Sequence, residues 1–444
     1  MALNRLGRAA VVLGTGILCA GGTASAATYY VATNGNDTFD GSSSNPWATL
    51  QHAVETIAPG DTILVRSGTY AGFRILNSGT VSAPKTLARD TGATVVINTP
   101  GPKSIHTSLI EIENGSGTEV TDWIVDGFEV ANSPHHGIDI RITNRITVRN
   151  CYAHHSAPSS IGDGIFLAFS SHPLIENNEV AFNTEHGIYH SNSADYPTIR
   201  GNRSHNNNGG GIQLNADYSS KCPCGTTVRD GIVSFALVEN NVIYENGVNG
   251  GSAINADGVD DSVFRNNLIY RNHAFGISLF SIDGSHGSSR NKVYNNTIVQ
   301  AIDGRSCLNI PSSKGNGGSP VSNIVKNNIL YTERTDKGSI DVYSTAAGVL
   351  TSDYNVVVDR FSTNGGTSVT STLAQWRTFG YDAHSLISTA TALFVDPAGG
   401  DYRLTTGSPA IDAGINLSPD VTADIVGTAR PQRLAYDIGS YEMP

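Results

Sequence analysis

Charge of either sign is scarce in this sequence, and positive charge is the scarcer. Only 15% of the 444 residues are charged, and 28 Lys and Arg stand against 39 Asp and Glu, which gives a net charge of −11 at pH 7. No basic run occurs. Because nucleic-acid binding needs clustered Lys and Arg, the sequence argues against a nucleic-acid partner. A polyanionic substrate would need local Arg, Lys or a bound cation to offset this acidity.

Long apolar runs are lacking outside the N-terminus. Residues 1–26 combine two arginines, an apolar run at residues 9–20 and the triplet Ala-Ser-Ala before Ala27, which is the layout of a secretory signal. A membrane anchor is the alternative, but the run is well short of the ~20 residues that a span needs. We therefore expect a secreted protein, extracellular or periplasmic, with no membrane span.

Cysteine is also rare, with five in the chain. Cys222 and Cys224 lie in an apparent insertion, SSKCPCGTTVRDG. An oxidising compartment would permit a disulfide there, although a bond across one residue is strained. A zinc half-site is the weaker alternative because no second half with ligand spacing follows. Cys151 is expected to be a buried small residue rather than a nucleophile.

No window of the sequence shows a sustained helical period of apolar residues. Instead, a short segment that contains a polar pair, such as LIENNEV or LVENNVI, recurs along the chain. The closing residues of the pair are Cys151, Asn178, Asn202, Asn241, Asn267, Asn296 and Asn328, spaced 27, 24, 39, 26, 29 and 32 apart. Such periods are typical of solenoids. Asn suits a turn at a fixed corner because it tolerates the left-handed region and its amides can bond coil to coil.

A second short strand, which usually begins with Gly, follows each of these repeated segments. Alternation over four to seven residues and β-branched side chains favour strands over helices. The segments include GIDIRI, GIFLAFS, GIYHSNS, GIQLNAD, GSAINAD and GISLFSI. Each repeat is therefore a coil of short strands, and the stacked coils predict an all-β protein with a parallel β-helix.

The two ends of the chain differ from the repeats. Residues 27–80 are predicted to hold a strand, a capping helix with Asn45 as its N-cap and Pro46 in its first turn, and the first coil. A solenoid must seal its open end, and this helix is the natural plug. Residues 81–350 form the β-helix, and residues 351–444 form the last coils and an irregular C-terminal cap.

The opening YYVATNGND…GSSSNPWATLQHAVETIAPGDTILVRSGTY, the Asn-pair coils and the tail GSPAIDAG…DIGSYE resemble the secreted bacterial right-handed β-helix proteins. That group includes pectate-lyase-like and alginate-lyase-like polysaccharide lyases. The resemblance covers nearly all of the mature chain and implies a right-handed helix. It also implies Ca²⁺ and a Lys or Arg base in a groove on one sheet, although lyases, hydrolases and epimerases share this scaffold.

The Gly-opened strands present a face on which a sugar chain could lie. If they are aligned on their first Gly, alternation sends an Ile ladder inward and aromatic, amide and small side chains outward, with Asn255 in the column of Asn215. The candidate substrate-binding residues are Arg141, Tyr189, Gln213, Asn215 and Asn255.

Carboxylates recur where these strands end. The triplet Asn-Ala-Asp closes at Asp217 and again at Asp257, and Asp-Gly recurs at Asp283. Stacked coils ~4.8 Å apart would bring these groups almost into contact, and like charges so close suit Ca²⁺, with Asp260 and Asp261 completing its ligands. The alternatives are an Asp ladder that caps turns through backbone bonds and paired carboxylates that act as acid and base.

Ionisable groups also precede the glycines, at His136, Asp163 and His186. They can transfer protons near neutral pH or satisfy turn amides. We take Asp163 and His186 as catalytic candidates, and we expect His190, at an inward position, to be a hydrogen-bonded core histidine. Lys221, in the insertion, is the candidate base of a β-elimination, with a solvated loop residue as the alternative.

The leading hypothesis is a secreted, monomeric, Ca²⁺-dependent polysaccharide lyase that acts on an acidic polysaccharide. In such a reaction a base removes the proton next to a uronate carboxylate, and a cation stabilises the enolate. One alternative is a glycoside hydrolase or uronate epimerase that pairs Asp163 or Asp217 with Asp257. Another is a surface protein that binds glycan without catalysis.

Overall fold

The chain winds into coils of three short parallel strands, and the coils stack into a β-helix with three faces. A computed structural model describes residues 26–158, 161–220, 222, 230–315, 317–365 and 368–444. The predicted signal, Lys221 and Cys224 lie outside these residues. The all-β parallel architecture predicted from the repeats is confirmed.

The first face, called the glycine face below, carries the candidate site. Its strands are Phe73–Ile75, Ile110–Ile112, the start of Ile138–Arg149, Ile165–Ser171, Ile188–Ser191, Ile212–Asn215, Ile254–Asp257, Ile277–Phe280, Leu308–Ile310, Ile340–Val342 and Phe361–Ser362. Each pairs in parallel with the next strand along the stack.

Two further faces close each coil. The second consists of Thr28–Val31, Thr62–Val65, Lys85–Arg89, Val120–Asp126, the end of Ile138–Arg149, Leu174–Glu176, Thr198–Arg200, Leu237–Glu239, Val263–Arg265, Lys292–Tyr294, Asn323–Lys326 and Leu350–Asp353. The third consists of Gly68–Ala71, Val95–Thr99, Glu129–Ala131, Tyr152–His154, Glu179–Ala181, Arg203–His205, Val242–Tyr244, Leu268–Tyr270, Thr297–Gln300, Ile329–Thr332, Val356–Val357 and Leu386–Ile387. Two small pairings, Val233–Ser234 with Val259–Asp260 and Phe394–Asp396 with Asp401–Leu404, lie outside the three faces.

Stacked apolar side chains fill the interior of the helix. On the glycine face the inward column is Ile138, Ile165, Ile188, Ile212, Ile254 and Ile277, all fully buried. His190 also points inward, and its Nε2 lies 2.7 Å from the carbonyl oxygen of Ala194. The prediction of a hydrogen-bonded core histidine is therefore confirmed.

A ladder of buried Asn side chains runs along the corner between the second and third faces. The backbone N–H and the Nδ2 of Asn202 both donate to Oδ1 of Asn241, at 2.9 and 3.1 Å, and Asn241 donates in the same way to Asn267. The first Asn of the pair takes the left-handed turn, as at Asn240 with φ of 56°. Both roles predicted for the doubled Asn are present.

A second Asn ladder, which the sequence did not suggest, follows the third face. Its members Asn183, Asn207, Asn246 and Asn272 are buried and hydrogen-bonded from coil to coil. Asn183, Asn246 and Asn272 stand alone in the sequence and Asn207 lies within a run of three Asn, so no repeated dipeptide marks the ladder. Two polar ladders therefore fix the coil register from within.

The N-terminal helix begins later than predicted. It spans Leu50–Thr56, and its N-cap is Thr49, whose hydroxyl accepts from the backbone N–H of His52. The predictions of Asn45 as the N-cap and of Pro46 in the first turn are wrong because both residues lie in the loop before the helix. Leu50, Ala53 and Val54 are buried in the core.

The chain after residue 353 first completes the last coils and then lies back against the outside of earlier ones. It contains the helices Leu373–Thr378 and Ala390–Leu393. Its later part bonds to earlier coils, since Asn295 donates from Nδ2 to the carbonyl of Asp437 and Asn327 donates to that of Ile415. No helix in the described part of the chain has the length and apolarity needed to cross a membrane.

The cysteines divide into one bonded and two free side chains among the described residues. Cys222 is disulfide-bonded. Cys151 and Cys307 are free and buried, and burial raises the pKa of the Cys151 thiol to about 11. A thiol that stays protonated is a poor nucleophile, which agrees with the structural role expected for Cys151.

Candidate functional site

The register of the glycine face differs from the predicted one at a single coil. Ile254 pairs with Ile212 and Asn255 pairs with Gln213, so the alignment on Gly251 was wrong by two residues. Gly250 and Gly251 have φ of 106° and 87° and belong to the loop before the strand. In this coil the loop extends past Gly251, so the strand begins three residues after that Gly and not one residue after it.

Asp163 and His186 come together at the start of two neighbouring strands. The backbone N–H of His186 donates to Oδ1 of Asp163 at 2.9 Å, and Nδ1 of the imidazole lies 3.2 Å from the same oxygen. The carboxylate is fully buried, whereas the imidazole is 18% exposed. A buried carboxylate therefore orients a histidine that reaches the surface.

His136 contacts the same carboxylate from the preceding coil. Its Nδ1 lies 3.2 Å from Oδ2 of Asp163 and accepts a hydrogen bond from the backbone N–H of Asp163 at 3.2 Å. Burial alone would raise the pKa of Asp163, but the contacts with His136 and His186 outweigh it and hold that pKa well below its usual range. Asp163 is therefore a fixed negative charge that can stabilise a protonated imidazole.

Tyr189 lies beside His186 on the outward side of the strand. The two ring centroids are 5.1 Å apart. Nδ2 of Asn215 donates to the Tyr189 hydroxyl at 3.1 Å, and burial raises the pKa of Tyr189 to about 12. The phenol keeps its proton at neutral pH and, because it accepts from Asn215, can donate that proton elsewhere.

The amides predicted to bind substrate form one column with Tyr189. Tyr189 pairs with Gln213 and Gln213 pairs with Asn255 on successive strands. Asn215 lies at the next outward position, beyond the Tyr189 hydroxyl. The observed register places Asn255 in the column of Gln213 and not in that of Asn215. The side chains of Tyr189, Gln213 and Asn255 therefore line up along the stack.

Arg141 is held near the start of this face rather than extended into solvent. Its guanidinium makes two hydrogen bonds to Asp139, of 2.7 and 3.1 Å. It also lies over the Phe166 ring, 4.7 Å from the centroid. Arg141 is therefore already paired with a buried carboxylate.

The predicted stack of Asp217 on Asp257 is wrong because of the same register error. Asp257 lies beside Asn215, and its carboxylate accepts from the backbone N–H groups of Ile282, Asp283 and Gly284 at 2.9, 3.1 and 3.1 Å. Burial raises the pKa of Asp257, and these bonds oppose the shift. The side chain is thus a turn cap for the next coil.

The other predicted calcium ligands also have partners within the chain. Asp217 accepts from the backbone N–H and hydroxyl of Ser219. Asp260 and Asp261 both pair with Arg290, and Oδ2 of Asp283 lies 3.5 Å from Nδ2 of Asn215. Calcium binding by these residues stays a prediction.

Replacing Asp257 with Ala is expected to lower the free energy of unfolding by about 2–4 kcal/mol, because three N–H groups lose a charged, buried acceptor. Chemical denaturation measures this loss. Asp261→Asn is the control, and it should cost less than about 1 kcal/mol because it breaks only an exposed ion pair. An Asp257→Ala loss that grows on adding Ca²⁺ to chelated protein would contradict a pure turn cap and support calcium binding.

A cationic groove, which the sequence analysis missed, continues along the glycine face. It has a volume of about 680 Å³. Four basic residues line it together with Asn255 and Ser278, namely Arg305, Lys314, Arg334 and Lys337. No carboxylate is among its described lining residues. Arg334 and Lys337 pair with Asp336, whereas Arg305 and Lys314 are exposed, so the groove keeps an excess of positive charge in an acidic protein.

Comparison with known proteins places this geometry in a family. Residues 29–301, more than half of the chain, match the family model described as Pel9A-like, right-handed beta helix region. The chain belongs to this family. The Pel9A-like chain is therefore a right-handed parallel β-helix.

Curated relatives of the Pel9A-like chain are similar over short stretches. Pectate lyase PEL9 of Emericella nidulans is 34% identical over 142 residues, which are 29% of this chain and 34% of that protein. The uncharacterized protein YwoF of Bacillus subtilis is 29% identical over 117 residues, which are 26% and 25% of the two chains. The matched stretches thus cover 34% of one relative and 25% of the other.

Solved structures resemble the whole Pel9A-like fold. The crystal structure of pectate lyase Pel9A has a TM-score of 0.64 at 18% identity and covers 95% of this chain and 98% of that chain. XylC in complex with xylose has a TM-score of 0.58 at 12% identity and covers 94% and 98%. At these identities the likeness shows the fold alone.

Proposed function

We propose that this protein is a secreted polysaccharide lyase that cleaves an acidic polysaccharide by β-elimination on the glycine face. The observation that carries the proposal is the placement of an Asp163-oriented histidine and a protonated Tyr189 on the same sheet as the cationic groove. Strands in a sheet are about 4.8 Å apart, so Asn255 at the groove lies about 10 Å from Tyr189.

The chemistry follows from the groups present. His186 removes the proton on the carbon next to the uronate carboxylate, and the electron pair forms a double bond to the neighbouring carbon. The glycosidic oxygen leaves that carbon and takes the proton of Tyr189. Asp163 stabilises the imidazolium, and proton exchange with solvent restores His186 and Tyr189. No water adds to the product.

The groove supports an acidic substrate in particular. Arg305 and Lys314 are exposed within it, and a chain with a net charge of −11 would otherwise repel a polyanion. A neutral glycan gains nothing from these residues.

Ca²⁺ dependence and the predicted base role of Lys221 are separate parts of the hypothesis. Either cation would assist the same elimination, Ca²⁺ by neutralising the carboxylate and Lys221 by accepting the proton. A chelator in the assay tests the first, and Lys221→Gln tests the second. In the proposed mechanism His186 is the base and Tyr189 is the acid.

A spectrophotometric assay tests the proposed function. The protein is incubated with polygalacturonate, alginate and bacterial acidic exopolysaccharides, and with a neutral glycan as control, while the ultraviolet absorbance of unsaturated ends is followed. We expect absorbance to rise with at least one acidic polymer and not with the neutral one. Reducing ends without absorbance would indicate a hydrolase, and binding without new ends would indicate a glycan-binding protein.

Neutralising the groove is expected to raise KM for the acidic polymer about tenfold or more with a small change in kcat. The double variant Arg305→Gln with Lys314→Gln removes two charges that contact substrate in both ground and transition state, so it weakens uniform binding. Steady-state kinetics at two salt concentrations measure the effect, which should shrink as salt screens the parent's groove. Arg403→Gln, on the exposed C-terminal segment, is the matched control; an equal rise in KM there would contradict the assignment.

A further inference from the structure

Two adjacent histidines and an aspartate converge at the beginning of the strand Ile138–Arg149. One ring nitrogen each from His135 and His136 and one carboxylate oxygen of Asp139 all lie within 4.8 Å of one another. Within the described ranges, no other three His, Cys, Asp or Glu side chains meet in this way. His136 and Asp139 are buried, and His135 is partly exposed, so the cluster opens to solvent on one side.

The ring of His136 is fixed before any ligand binds. It stacks on Phe166 with centroids 4.3 Å apart and planes 6° from parallel, and it lies 3.8 Å from the ring of His135, centroid to centroid. A side chain held between two neighbours loses little entropy when it coordinates an ion. The cluster therefore has the rigidity expected of a binding site.

Asp163 supports this cluster from the other side of His136. Its Oδ2 is buried, and no described residue donates a hydrogen bond to it, yet it lies 3.2 Å from Nδ1 of His136. An ion at Nε2 requires the tautomer protonated on Nδ1, in which the imidazole donates to this oxygen and no longer accepts from the backbone N–H of Asp163. Metal-binding histidines commonly make such a bond from their second nitrogen to a carboxylate.

Asp139 can bind an ion and keep its present partners. Arg141 donates to both oxygens of the carboxylate and the Ser108 hydroxyl donates to Oδ2, at 2.7 to 3.2 Å, so three positions are occupied. A carboxylate offers about four lone-pair positions, so one remains for a cation. The positive charge of Arg141 repels that cation and therefore lowers the affinity of the site for it.

We propose that His135, His136 and Asp139 bind a divalent transition-metal ion such as Zn²⁺. Imidazole nitrogens favour Zn²⁺, Co²⁺ and similar ions, whereas Ca²⁺ takes oxygen ligands. The site uses three protein ligands and leaves a position open. It differs in residues and ion class from the predicted calcium site, and it does not rest on the proposed lyase activity.

Metal binding tests the site directly. Protein without a polyhistidine tag is stripped with chelator, dialysed, and titrated with Zn²⁺ by calorimetry and with Co²⁺ by visible absorption. We expect one ion per chain and Co²⁺ bands typical of mixed nitrogen and oxygen ligation. Asp139→Asn and His135→Ala should each weaken Zn²⁺ binding at least tenfold, and Arg141→Gln should tighten it because the competing charge is gone.

Two controls separate a built site from adventitious binding. His155→Ala changes an exposed histidine on another face, and Asp217→Asn changes a predicted calcium ligand, and neither should alter Zn²⁺ affinity. Melting of each metal-free variant shows whether it folds. The proposal is overturned if the parent takes up no Zn²⁺, or if folded Asp139→Asn and His135→Ala bind it as the parent does. Activity is not the readout, so a failed lyase assay leaves this test intact.

Discussion

Replacing His186 with Gln is expected to lower kcat on the acidic polymer by roughly 10²–10⁴-fold, because a positioned general base contributes about that factor. The Gln side-chain amide can still donate a hydrogen bond to Asp163, but it cannot take a proton. KM should change little, since the imidazole contributes to the transition state more than to binding. The absorbance assay measures both constants.

The control for this prediction is His155→Gln, which alters an exposed histidine in the bend after the third-face strand Tyr152–His154. Its kinetics should match those of the parent. Melting curves of both variants should show an intact fold, since His186 is a partly exposed residue outside the Ile column. A folded His186→Gln variant with parental kcat would remove the histidine from the mechanism and shift the base role to Lys221.

Replacing Asn241 with Ala is expected to lower the free energy of unfolding by about 2–6 kcal/mol. The change leaves the buried backbone N–H of Asn202 without its acceptor and removes a donor from the carbonyl of Ile199. Each buried polar group left unsatisfied costs about 1–3 kcal/mol. Chemical denaturation, fitted with a common slope, measures the difference.

Asn240→Gly is the matched control at the neighbouring position. Asn240 has φ of 56°, and Gly adopts such a conformation at no steric cost. We expect a change below about 1 kcal/mol. Equal losses in the two variants would mean that the turn conformation, rather than the amide ladder, stabilises the corner.

The fold could be predicted because its determinants repeat. The doubled Asn recurs in five of the seven repeats, and Ile directly follows Gly in five of the six Gly-opened segments, so a single chain contains many copies of the same signal. The register of one coil could not be predicted in the same way. Gly250 and Gly251 extend a loop, and a loop's length is not fixed by the strands that it joins.

The candidate site was only partly predictable. Asp163 and His186 were found because both precede a Gly-opened strand, and strand pairing then brings them together. The cationic groove was missed because Arg305, Lys314 and Arg334 come from loops of unequal length, where sequence spacing does not determine spatial neighbours. The partners of Asp257 are backbone groups, which no side-chain pattern reveals.

The central claim is cleavage by elimination, and the most direct test is product analysis in water enriched in heavy oxygen. An acidic polymer that gives absorbance with the protein is digested, and the oligosaccharides are weighed by mass spectrometry. Elimination adds no water, so we predict unsaturated products that carry no heavy oxygen from the solvent. Saturated products labelled at the new reducing end would show hydrolysis and contradict the account.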